Sequence, residues 1–188
     1  MKSKIRYVAP AVLLAVFSTS VAQADDDLAM ESKHAITNFQ KADPGLETFF
    51  TNSAGYAVFP SVGKGGFIVG GARGKGLVYA TNQVIGKATM TQASFGAQVG
   101  GQEFAEVIFF ETVGGLNDFK DGKFEMSADI SAVAAAEGAS KAAKYKKGIA
   151  VFTLPKRGLM LQAAVGGQKF KYEPQPLEPT GRNPEKKD

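Results

Sequence analysis

The chain has no cysteine, no tryptophan and a single histidine among its 188 residues. Without cysteine there is no disulfide framework, no thiolate nucleophile and no thiolate metal site. A lipid attached at a processed N-terminal cysteine is excluded for the same reason. The lone histidine, His34, sits among Glu31, Ser32 and Lys33 and reads as a solvent-facing helix residue. The N-terminal apolar run is too short for a membrane span, which needs about 20 apolar residues. A large charge of one sign is also missing. The formal charge is +4, and without Lys2, Lys4 and Arg6 it falls to +1. A near-neutral chain of this kind is a poor partner for nucleic acid.

What is present starts with "MKSKIRYVAPAVLLAVFSTSVAQA". A basic opening, an apolar run from Tyr7 to about Phe17 and small residues ending at Ala22-Gln23-Ala24 make a secretory signal peptide pattern. Cleavage is expected after Ala24, with the periplasm as the destination. The expected organisation is a leader over 1–24, one domain over 25–172 and a Pro-rich flexible tail over 173–188.

Residues 27–42 place Leu28, Ala35, Ile36 and Phe39 at helical spacing, with Asp25 to Asp27 as a favourable start. Pro44 and Gly45 stop that helix, and "LETFFTNSAG" reads as a short second one. From Tyr56 the text turns to β-branched, aromatic and glycine residues. Strands are expected near 56–60, 66–72, 75–81, 84–89, 94–101, 105–111, 123–134, 149–154 and 158–165. Residues 114–122 read as a loop or one helical turn, and 134–148 is ambiguous, because its alanines favour helix and Gly138 opposes it.

The stretch "GYAVFPSVGKGGFIVGGARGKGLVY" (55–79) invites a nucleotide reading, but the residues refuse it. A phosphate loop needs a glycine five places before the Gly-Lys pair and a Ser or Thr after it. Gly63-Lys64, Gly74-Lys75 and Gly86-Lys87 are preceded at that distance by Val58, Val69 and Thr81, and no hydroxyl follows any of the lysines. The dinucleotide pattern fails at Ile68 and Tyr79, where glycine is required. No nucleophile elbow is present. Glu103, Glu106, Glu111, Asp118 and Asp121 offer carboxylates, but their spacing selects no pair, and they read as solvated loop or strand faces. No catalytic, metal or cofactor site is expected. The glycines read instead as bends and close approaches in a curled sheet.

Cationic turns remain as recognition elements. Lys64 lies in Gly63-Lys64-Gly65-Gly66, Arg73 and Lys75 at the next turn, and Lys156 with Arg157 in the matching place of "GIAVFTLPKRGLMLQAAVGG". Backbone amides beside Lys64 would add to its charge. These five residues are the candidate set for meeting an anionic surface.

In this order and spacing, "GYAVFPSVGKGGFIVGGARGKGLVY", "SFGAQVGGQEFAEVIFFET", "FEMSADISAVAA" and "KKGIAVFTLPKRGLMLQAAVGG" resemble the SYLF domain, over about residues 28–172. The resemblance implies a lipid-binding, non-enzymatic domain in which basic residues and an amphipathic N-terminal helix take part. The family's eukaryotic members also bind actin and phosphoinositides; an export signal argues against both here and for anionic envelope phospholipids. The alternative is a structural or protein-interaction module of the envelope. The expected fold is α+β, with short N-terminal helices packed on a glycine-rich, mainly antiparallel, barrel-like or sandwich sheet.

Overall fold

Alternation fails in "YAVFP" and "AEVIFF", where successive residues are apolar; strands of that kind have to be covered on both faces. The computed structural model shows how. It describes residues 16–63, 71–93, 103–124, 126, 130–157 and 167–175; the side chains of 16–23, 71, 93 and 157 are outside that description. Helix α1 (Val16–Ala42) is followed by a 3-10 turn at Pro44–Leu46 and helix α2 (Glu47–Asn52). Then come strands β1 (Gly55–Gly63), β2 (Gly71–Ala80), β3 (Gln83–Ala93) and β4 (Glu103–Phe110), helix α3 (Val113–Lys120), and the two-residue strand β5 (Val133–Ala134). Helix α4 (Ala139–Ala142), β6 (Ile149–Arg157) and β7 (Gln168–Pro174) complete the described chain.

The strands form one sheet in the order β5-β6-β4-β1-β2-β3-β7. Every pairing is antiparallel except β5 with β6. On one face, Phe39 and Leu46 of the helical layer bury against Tyr56, Val58, Phe109 and Phe152. On the other, α3 with Met126, Ile130 and Ala132 covers Ala57, Phe59, Ile108 and Phe110. Ring centroids of Phe59, Phe110, Phe119, Phe124 and Phe170 lie 5.0–5.9 Å apart in this second layer. Burying each such ring contributes about 1.5–3 kcal/mol.

The sheet curls. β4 and β7 are separated by β1, β2 and β3, which in a flat sheet means about 19 Å at about 4.8 Å per step. Yet the Gln168 side chain of β7 donates to Glu106 of β4 at 2.9 Å. Gly76 permits the curl: a Cβ there would stand 2.7 Å from Cδ1 of Phe59. Two further features fix strand phase. Thr81 and Asn82 have φ of 48° and 60°, the two-residue turn that matches strand twist, and Tyr56 Oη donates to Asn82 Oδ1 at 3.1 Å. At Pro60 a bulge adds one residue to β1, so Val62 points into the second layer and Ser61 points away.

The α+β class with helices on a mainly antiparallel sheet holds, and the sheet curls without the described edge strands β5 and β7 pairing. Several element bounds differ. Helix α1 begins at Val16 and not at 27. Residues 71–80 form one strand where two with a turn were expected. The expected strand 123–134 reduces to Val133–Ala134, while Met126, Ile130 and Ala132 are buried outside any ladder. β7, unforeseen, runs to Pro174. The expected strands 94–101 and 158–165 lie outside the described residues.

Asp43 joins the end of α1 to the start of α4. Its buried carboxylate accepts from Gly45 N at 3.0 Å, Gly138 N at 3.4 Å and Ser140 N at 2.6 Å. Burial alone would raise its pKa, but the Ser140, Gly45 and Gly138 amides outweigh that and hold it below 3.8. A lowered carboxyl pKa gives stability that is full above the unfolded value and lost as pH falls through the folded one. Asp43→Ala should therefore cost about 1.5–3 kcal/mol at neutral pH and should flatten the acid limb of stability. Urea melts from pH 3 to 7 read both.

Candidate functional site

Along β2, alternate residues share a face. Tyr79 and Leu77 lie under the helical layer, and the same row continues to exposed Lys75 and Arg73. Both cations thus sit inside a strand, correcting their expected place in a turn. Gly74 and Gly76 on the opposite side let β2 run straight through where a break was read. Lys75 faces Ser61 across the ladder, and Arg73 faces Gly63.

The row extends over the next two strands. Ser61 Oγ donates to Glu103 Oε1 at 2.8 Å, and Lys156 Nζ lies 3.1 Å from the same oxygen. Lys75, Ser61, Glu103 and Lys156 therefore form a belt across β2, β1, β4 and β6. Lys156 too lies in a strand rather than a turn, and its charge is spent partly on Glu103. Arg157 has its backbone opposite Glu103, with its side chain outside the described residues. Lys64 also lies outside them, one residue beyond Gly63. Arg73 and Lys75 form no ion pair among the described residues.

An open groove of about 460 Å³ runs between this belt and α1. Arg73 and Lys75 form one wall, Asp27 and Glu31 of α1 the other, and Leu28 and Pro60 supply apolar surface. Ala24, the residue expected to precede the cleavage point, lines one part. Asp25 pairs with Lys87 of β3, which pins α1 beside the groove. No described helix is long and apolar enough to cross a membrane.

Glu106 corrects the expectation of solvated carboxylates. It is fully buried, and burial pushes its pKa up to about 7 against the opposing hydrogen bond from Gln168. Its signal was legible: a lone acid inside "FAEVIFF". Glu111, Asp118, Asp121 and His34 are exposed as read. No group of three metal-ligating side chains occurs among the described residues.

The Lys156–Glu103 pair is partly exposed, so its contribution should be small. Lys156→Gln should lower stability by less than about 1 kcal/mol, as read by thermal melts. A larger loss would mean the belt is a structural pillar.

Residues 91–175 match the family model described as Las17-binding protein actin regulator, the Ysc84 or SYLF domain. The chain is 31% identical over 139 residues to Beta cell expansion factor A of Aeromonas veronii, which covers 72% of this chain and 52% of that protein. It thus spans about half the length of the curated relative it matches.

Proposed function

The chain carries a SYLF-family domain, and from that premise we propose that it is a non-enzymatic, periplasmic domain that binds anionic phospholipid at the β1–β2 end of its sheet. One observation carries the reading: Arg73 and Lys75 stand exposed, side by side along β2, at the rim of a groove that also offers Leu28 and Pro60. A headgroup phosphate would meet the two cations while an acyl segment lies against the apolar surface. Lys156 would extend the cationic rim along β6, and Lys64 and Arg157 stay candidates by sequence alone. Asp27 and Glu31 keep the opposite wall acidic, so a phosphate is steered to the β2 side. Export through the leader would separate the domain from cytoplasmic actin, which makes lipid the ligand in this reading.

Each cation at an anionic membrane surface contributes about 1 kcal/mol, and the attraction fades with salt. The protein should float with vesicles containing phosphatidylglycerol or cardiolipin, float less at physiological salt, and ignore phosphatidylcholine alone. Arg73→Glu with Lys75→Glu should cut the bound fraction about tenfold or more, since losing two such contacts removes about 2 kcal/mol. Undiminished flotation of the double variant would remove these residues from the site. Failure to bind any vesicle would favour the envelope protein-interaction module.

A further inference from the structure

The contact between Glu106 and Gln168 is the least expected in the molecule. Both side chains are buried, at 0% and 1% exposure. Gln168 Nε2 donates to Glu106 Oε2 across the curled interior, between strands that are not neighbours. Glu106 Oε1 and Gln168 Oε1 have no hydrogen-bond partner among the described residues. A charged carboxylate with one neutral donor and a second bare oxygen is poorly held in such a place; a protonated one is tolerated.

The surroundings offer no counter-charge among the described residues. Across the ladder Glu106 faces Phe59 of β1 and Thr153 of β6. β7 presents Gln168, and the cluster on this face holds Phe119 of α3, Phe124 and Met126. Glu103, the nearest acid along β4, belongs to the belt on the opposite face.

β7 is the strand that this contact governs. Among the described residues it pairs with β3 alone. Its start is held by Gly167 N–H donating to Met126 O at 2.9 Å and by Gln168. Phe170 packs on Phe59 and Phe119, and Tyr172 Oη donates to Ile85 O at 2.7 Å. Without the Gln168 contact, the first half of β7 is held by one ladder, the Gly167–Met126 hydrogen bond and the Phe170 ring.

We propose that Glu106 and Gln168 form a proton-dependent latch: with the carboxyl neutral, β7 stays folded over the interior, and ionisation of Glu106 favours release of the Gln168 end. The aromatic layer under β7 is then uncovered. This stands apart from the lipid reading, because it involves neither the belt nor the groove.

The sign follows from linkage. A carboxyl whose folded pKa is raised binds more protons closed than open, so closure weakens as pH rises between the two values. With the closed value at about 7 and the ordinary one at 4.5, opening of β7 should increase on the order of 50- to 100-fold from pH 5 to pH 8, at tenfold per unit of pKa separation.

Amide hydrogen exchange on the full chain reads this directly. After correction for intrinsic rates, the β7 amides that pair with β3 should lose protection by that factor, while β1 and β4 amides do not. Glu106→Gln, a neutral mimic of the protonated side chain, should hold β7 protection constant across the range. A wild-type β7 with pH-independent protection overturns the latch, as does a Glu106→Gln protein that keeps the wild-type dependence. Should the variant fold poorly, a ¹³C carboxyl titration of the wild type decides: a value near 7 for Glu106 supports the latch, and one near 4.5 overturns it.

Discussion

Everything in this fold depends on covering both faces of β1 and β4. Their apolar residues run without alternation, so one layer of helices cannot bury them. α1, the 3-10 turn and α2 cover one face. Among the described residues the second face has, apart from the strands, only a short α3 with Phe124, Met126, Ile130 and Ala132, which is too little to cover it. The sheet therefore curls and uses its own last strand as part of the cover. Phe170 of β7 completes the aromatic layer begun by Phe59 of β1. The small residues on the inner side of β2 follow from the same need, since Phe59 must lie directly over Gly76.

The curl also sorts polar groups. On the outer face, the β2 row emerges from beneath the helices and ends in Lys75 and Arg73, where the bulge at Pro60 places Ser61 beside them. On the inner face, it traps Glu106 against Gln168. One strand phase thus produces an exposed cationic rim and a buried acid, on opposite sides of the same end of the sheet. The rim is suited to a phosphate, and the buried acid to holding or losing a proton.

Much of this was legible in the sequence. "GYAVF", "FAEVIFF" and "GIAVFTL" read as strands because no other element suits such runs between turn signals. The N-terminal helix and its stop at Pro44 followed from spacing. Reading failed where burial and hydrogen bonding part company. "FEMSADISAVAA" alternates like a strand, yet alternation reports only which side faces the core, and of its described residues only Val133 and Ala134 have ladder partners. In "QKFKYEP" no strand was read, and Glu173-Pro174 went to the tail on the prolines and charges of 173–188, although Lys169, Lys171 and Glu173 stand at every second place. They are the outward residues of an edge strand, where charge is what keeps the edge from pairing with another chain. Gly74-Lys75 suggested a turn because glycine beside a cation usually does; here the glycine makes room for side chains across the ladder. The Glu106–Gln168 contact was beyond reach, since 62 residues separate the pair and only the curl joins them.

The most direct test of the account is a ¹H–¹⁵N titration of the protein with a short-chain phosphatidylglycerol below its micelle concentration. The account predicts that shifts concentrate on Leu28, Ser61, Arg73 and Lys75, and that α3 and residues 113–120 stay still. Shifts centred instead on α3 and the aromatic layer around Phe119 and Phe170 would place the lipid inside the curl and contradict the assignment of the rim.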